Sequence, residues 1–374
     1  MRRLFSIIAL TGLLLSGVPA AAGPSAGGLS SDNIEFIQHV PFEVGTVTGA
    51  RVIGKYLYVT SWKTFSIYDV SDPLNPTRVS TTPFGFKFEN EDVATNGKIM
   101  IFSEELPQAS IHVWDVEDKA NPEEIATVPG GQHTMSCLLD CKWLYGSDGN
   151  IFDLRNPAKP ILAKEKWGEG MPATNGHDVN EVAPGIVLTA SDPMMLLDAR
   201  KDPRHPKLLA AAAPMGEFIH SVEWPNQGKD KFALSSGETW TPGTDARCKA
   251  KAAGIATWDG SAAKKTHTLK MVDVWRPVNG TGVDGNPVVN APFGCSSHWF
   301  QEHPTFNSGG IIAAGFYNHG TRILRIAKNG KISQEGFFVP NAGGTSAAYW
   351  LTDRIVYAVD YQRGLDVLKY NGKF

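Results

Sequence analysis

An apolar strand that ends in Asp and runs into a turn closed by Pro recurs along this chain. Short strand-and-turn units repeat about every 40–50 residues, and aromatic side chains are frequent while long amphipathic runs are few. Together these observations predict an all-β fold, specifically a seven-bladed β-propeller. The 374 residues carry 35 basic and 38 acidic side chains, a net charge of −3. That balance argues against a nucleic-acid binder, which needs a clustered basic excess. With 42% hydrophobic and 20% charged residues the chain has enough apolar surface to fold.

The repeat is read from four segments, Val59–Pro76, Ile111–Pro122, Ile151–Pro160 and Leu196–Pro206. Their Asp residues are Asp69, Asp115, Asp153 and Asp198, spaced by 46, 38 and 45 residues. Asp can bond the backbone of its own turn, and Pro stops further strand pairing. In the first unit, strands are expected near Arg51–Ile53, Tyr56–Ser61, Phe65–Val70 and Thr77–Thr81. Seven units begin near residues 47, 86, 131, 174, 217, 294 and 343. The fifth is lengthened near 239–268, a lid-like insertion, and again near 275–292. The segment Glu35–Pro41 is expected to pair with the last unit, closing the ring and removing sheet edges. Residues 34–374 then form one domain.

Ahead of it, residues 1–22 read as a secretory signal: Arg2 and Arg3, an apolar stretch from Leu4 to Val18, then Ala20–Ala22. Residues 23–33 read as a flexible Gly/Ser/Ala-rich leader. A secreted or periplasmic protein with no membrane span after cleavage is expected. In that setting four cysteines favour two disulfides. The repeat positions favour Cys137–Cys141 and Cys248–Cys295, the second pinning the insertion beside the channel.

The segments 56–76 (YLYV…FSIYDVSDPLNP), 294–326 and 356–372 resemble secreted bacterial proteins of the LVIVD-repeat family. The resemblance runs over nearly the whole mature chain and implies a propeller, with little said about chemistry. A more distant likeness, through His133-Thr134-x-x-Cys137, is to the selenium-binding protein/methanethiol oxidase family.

Aligned on their first strands, four successive units carry histidine at one position: His133, His177, His220 and His298. The second unit has Glu91 there, and the first and seventh have small residues near Ala50 and Ala347. First strands line a propeller's channel, so the four imidazoles are expected to converge on its axis as ligands of a mononuclear transition metal. Glu91 would serve as an acceptor supporting the ligands from behind or as a further ligand. Imidazole suits copper or iron, and these are expected ahead of zinc. Loops on the same face offer Glu238, His319 and Tyr361 as substrate or proton-transfer groups. His303 reads as structural; His39, His112, His205 and His267 share no repeat position.

No Gly-x-Ser-x-Gly elbow, His-Glu-x-x-His helix or P-loop is present. The sequence therefore points to a metal-dependent oxidoreductase acting on a small organic substrate. The alternatives are a binding propeller without catalysis, docking a protein partner or glycan, and a hydrolase or lyase with zinc-activated water.

Overall fold

Each repeated Asp accepts a hydrogen bond from the main-chain N–H two residues on. Asp69 takes it from Ser71 (2.8 Å), Asp115 from Glu117 (2.9 Å), Asp153 from Arg155 (3.1 Å) and Asp198 from Arg200 (3.1 Å). A fifth turn of this kind, Asp259 with Ser261 (2.9 Å), lies in the longest unit. These local bonds reverse the chain after the third strand of five units and so mark the period of the fold.

In the computed structural model the residues described are 28–42, 46–84, 90–105, 109–239, 250–277, 281–283, 286–287 and 294–374. The expected signal segment 1–22 lies outside them, as do Cys248 and most of the first half of the expected lid. Among the described residues, no helix is long and apolar enough to cross a membrane.

The strands form antiparallel meanders in chain order. The first contains Val47–Ile53, Tyr56–Ser61, Thr64–Asp69 and Thr77–Pro83. The second contains Ala94–Thr95, Ile99–Glu104, Ser110–Asp115 and Glu123–Pro129. The third runs from Met135–Leu138 to Ile161–Leu162. An eight-stranded sheet follows, made of two meanders, Val179–Ala212 and Ile219–Trp275. They are joined by a short parallel pairing of Ala211 and Ala212 with Thr268 and Leu269. Next comes the meander from Phe300–Glu302 to Ile332–Pro340. The last contains Thr345–Trp350, Ile355–Asp360 and Gly364–Tyr370, and Ile34–Pro41 pairs antiparallel along its Gly364–Tyr370 edge.

Two expectations change in detail. Of the stretch 239–268, Ile255–Asp259 is no lid but a strand between Phe232–Gly237 and Thr268–Trp275. Its alternation is masked because its residues are buried on both faces. Gly28–Ser30, placed in a flexible leader by composition, pairs with Phe338–Pro340. A Cβ on Gly28 would stand 2.4 Å from the Val339 carbonyl oxygen, so only glycine allows this approach.

Middle strands such as Tyr56–Ser61 and Phe232–Gly237 are buried along nearly their whole length, whereas the outer strands Thr77–Pro83 and Glu123–Pro129 are largely exposed. The core is accordingly a series of apolar layers between adjacent meanders. Phe65, Phe84, Phe102 and Trp114 fill one such layer, with Phe65 and Phe102 ring centres 4.8 Å apart. Tyr145, Trp167, Val187 and Leu197 belong to a second. A third contains Phe232, Ile255, Phe300 and Phe316. Each fully buried side chain of this size contributes roughly 1.5–3 kcal/mol. Such layers hold each unit only through its neighbours, and the inner strand ends are left to line a common channel.

Candidate functional site

The channel-lining strands are short, and most of the predicted residues stand just ahead of them. His133 precedes Met135–Leu138, His177 precedes Val179–Ala183, His298 precedes Phe300–Glu302 and Glu91 precedes Ala94–Thr95; His220 lies within Ile219–Glu223. The repeat fixes these backbone positions, and the side chains then meet across units.

Glu91 is the hub. Its Oε2 lies 3.1 Å from His220 Nε2, 3.1 Å from His298 Nε2 and 3.8 Å from His177 Nε2. Its Oε1 accepts a hydrogen bond from the Tyr361 hydroxyl at 3.1 Å. The imidazoles follow one another in tilted contact, with ring centres 3.9 Å apart for His177 and His220 and 4.0 Å for His220 and His298. His220 and His298 are completely buried and Glu91 is 4% exposed.

The outer nitrogens show how the rings are held. His177 Nδ1 lies 3.0 Å from the His220 carbonyl, and His298 Nδ1 lies 2.9 Å from the Ser346 carbonyl. A carbonyl only accepts, so both rings carry a proton on Nδ1, and this turns Nε2 inward. His220 Nδ1 has no hydrogen-bond partner among the described residues.

Electrostatics follow from this packing. Burial disfavours a charged Glu91, yet the facing His298 and His220 outweigh it and hold the carboxyl well below its usual range. Burial lowers His177 strongly, assisted by His220, and takes His220 down to about 3, assisted by His298. On His298 burial is overcome by the Glu91 carboxylate, and its pKa rises. These directions favour a His298–Glu91 ion pair and oppose a charge on His177 and His220.

Glu238 is buried and accepts a hydrogen bond from the Tyr317 hydroxyl. Burial raises its carboxyl, against the pull of His298. Tyr317 holds a left-handed backbone (φ 42°), fixed by reciprocal main-chain bonds with Thr345 of 3.0 and 2.8 Å. Strain of this kind persists only where the surroundings over-determine it. Tyr361 also approaches His298 Nε2 at 3.4 Å. Two donor sets emerge in which the ligand atoms all lie within 4.8 Å of one another: Glu91, His177 and His220, and His220, Glu238 and His298.

His133 and His319 stand outside both sets. The His133 ring contacts His177 (centres 4.8 Å apart), but its Nδ1 lies 3.2 Å from Glu105 Oε2 at the exposed rim. His319 is buried in the turn Phe316–Gly320, its N–H bonded to the Phe316 carbonyl (2.7 Å). Cys137 is joined to Cys141 and offers no thiolate to His133. Cys295 is buried and disulfide-bonded; its expected partner Cys248 lies outside the described residues.

Two aromatic neighbours escaped the sequence reading. Trp299 lies against His220 (centres 5.0 Å apart), and Phe218 against His177 (5.4 Å). Phe218 was findable, since it precedes His220 by two residues and alternate residues on an extended strand share a face. It opens onto a cavity of about 400 Å³ lined also by His133, Asp148, His177 and Asp192.

Residues 44–82 match the LVIVD repeat family model. Among solved structures, the chain is similar to the β-propeller domain of Myceliophteria thermophila Cps50 (Swd1). That match has 13% identity and a TM-score of 0.59, covering 90% of this chain and 100% of that one. No curated protein matches the sequence. This protein therefore has an all-β propeller fold, and its first complete unit is similar to the LVIVD repeat.

Proposed function

We propose that this is an exported, seven-bladed propeller metalloprotein with one transition-metal ion in its channel, acting as an oxidoreductase on a small organic substrate. The blade count rests on seven four-stranded meanders, with the eight-stranded sheet counted as two and Ile34–Pro41 as the closing strand of the last. Export is supported by the charged-then-apolar start of the sequence and by the Cys137–Cys141 bond.

One observation carries the metal reading: three Nε2 atoms face one carboxylate oxygen, and two of those rings are already fixed through Nδ1. This is the donor chemistry and outer support that a borderline metal requires. His177, His220, His298 and Glu91 are the proposed ligands. His133 joins them by giving up its bond to Glu105. Copper or iron bound there would supply one-electron or oxygen chemistry. Tyr361 orients the Glu91 carboxylate, and the Tyr317–Glu238 pair holds a proton beside His298. Cys248–Cys295 remains the proposed second disulfide.

Metal analysis of the chain loaded with copper, iron or zinc tests this reading. About one tightly held ion per chain is expected, with an optical or EPR signal for the redox metals. His177→Ala with His220→Ala should abolish uptake while the far-UV spectrum stays unchanged. Full metal content in the double variant would show that the ligands are wrong. One observation favours a second reading: Glu91 and His298 already neutralise each other. A folded wild-type chain that takes up none of the three metals would establish a metal-free binding propeller instead.

A further inference from the structure

We infer that the cavity beside His177 is a binding site for a small amine bearing an aromatic or flat apolar group. Its identity as the substrate pocket rests on the proposed reaction centre, but its ligand preference does not. The cavity, about 400 Å³, falls at the small end of the range for ligand pockets. It lies between the third, fourth and fifth meanders, with His133 and His177 in its wall, so an occupant is brought up to the donor cluster.

Its lining is chemically one-sided. Asp148 and Asp192 are exposed carboxylates, and no lysine or arginine lines it among the described residues. Lys166 reaches Asp148 only through its main-chain carbonyl (3.1 Å). Asp192 is fixed in place, accepting from the Met215 N–H (2.6 Å) and the Gly216 N–H (2.7 Å).

The apolar component is equally specific. Phe218 is 47% exposed, and its ring stands edge-on to His177. Ala190 and Ile219 continue the apolar wall. An aromatic surface beside two carboxylates attracts an organic cation through ring quadrupole and charge together. A carboxylate or phosphate ligand would meet like charge, with no lysine or arginine among the described lining residues to receive it.

Calorimetric titration of the full chain with 2-phenylethylamine, 2-phenylethanol and 3-phenylpropionate tests this. The amine should bind best, the alcohol more weakly and the acid least, and amine binding should weaken with added salt. Asp148→Asn should lower amine affinity about three- to tenfold and leave the alcohol unchanged; Phe218→Ala should weaken both to a similar degree. Both positions are exposed, and far-UV spectra confirm that the variants fold. Acid binding equal to or tighter than amine binding, no binding of any probe, or amine affinity indifferent to Asp148→Asn would each overturn the inference. Metal content measured on the same samples separates the claims. Amine preference without metal removes the reaction centre and leaves this site, whereas metal without amine preference removes this site alone.

Discussion

The channel contains two buried carboxylate regions that differ in what faces them. Glu91 looks onto His177, His220 and His298, while its neighbour Asp92 belongs to a group with Asp178 and Arg51. Adjacent residues of an extended chain point to opposite sides, so 91/92 and 177/178 each supply one member to each region. Trp299 touches both, packing on the imidazoles and lining the roughly 160 Å³ cavity shared by Asp92, Asp178 and Glu223. Burial opposes ionisation in both regions. In the first, imidazoles win and the Glu91 carboxyl falls well below its usual range. In the second, burial and neighbouring carboxylates push Asp178 and Glu223 well above theirs, despite Arg51. The closely similar burial of Glu91 and Asp178 thus yields an anchored anion in one place and a reluctant acid in the other, and the sign of the neighbours makes the difference.

The largest effect should come from removing the anchor. Glu91→Gln leaves His220, His298 and the Tyr361 hydroxyl without their common charged acceptor. Breaking one partner of a buried ion pair costs about 3–5 kcal/mol. Urea unfolding of the chelator-treated chain should show a loss of that size, with metal uptake also abolished. An unchanged midpoint would mean that the imidazole region does not depend on its carboxylate, and the contrast drawn above would fail.

The disulfide comes next. Cys137 and Cys141 wall a cavity on the acidic side that also contains Arg51, Asp92 and Ser136. Closing so short a loop stabilises by about 2 kcal/mol through the unfolded chain. Cys137→Ser with Cys141→Ser should lower stability by about that amount. The turn itself should persist, because Glu181 Oε1 accepts from the Leu139 and Gly185 N–H groups at 2.8 and 2.7 Å. Metal uptake should be unaltered. A fall in metal content would show that the two regions are mechanically coupled through the wall they share.

Much of the imidazole region was legible because the repeat supplied an internal alignment. His177, His220, His298 and Glu91 occupy one position in different units, and placing that position on the inner strands was enough to predict their meeting. His133 obeys the same rule yet turns to Glu105, since a rim position competes with nearby exposed carboxylates and the repeat carries no information on side-chain partners. The acidic region was legible in principle. Asp92 and Asp178 each follow a site residue by one, at equivalent positions in Glu91-Asp92-Val93 and His177-Asp178-Val179. The backbone conformation of Tyr317 was beyond such reading: its positive φ accompanies the Thr345 contact, which is distant in sequence.

The smallest predicted effect is the sharpest test of sign. Glu223 sits partly buried, with Glu302 and Asp178 as its like-charged neighbours and Asn180 as a hydrogen-bond partner. Its pKa is raised in the folded chain, above the ordinary value of about 4.3 that it regains on unfolding. The folded state therefore holds this proton more tightly than the unfolded one. Its stabilising contribution is complete below the unfolded value and is lost as pH rises through the folded value. Glu223→Gln cannot lose a proton and escapes that loss. Against wild type the variant should gain little at pH 4 and about 1 kcal/mol by pH 8, a difference read from paired urea titrations across that range. A carboxylate anchored by cations would give the opposite slope, with the variant weakest relative to wild type at the alkaline end. Should Glu223→Gln behave in that way, the second region is an ion-paired site like the first, and the two halves of the channel are built on one principle instead of two.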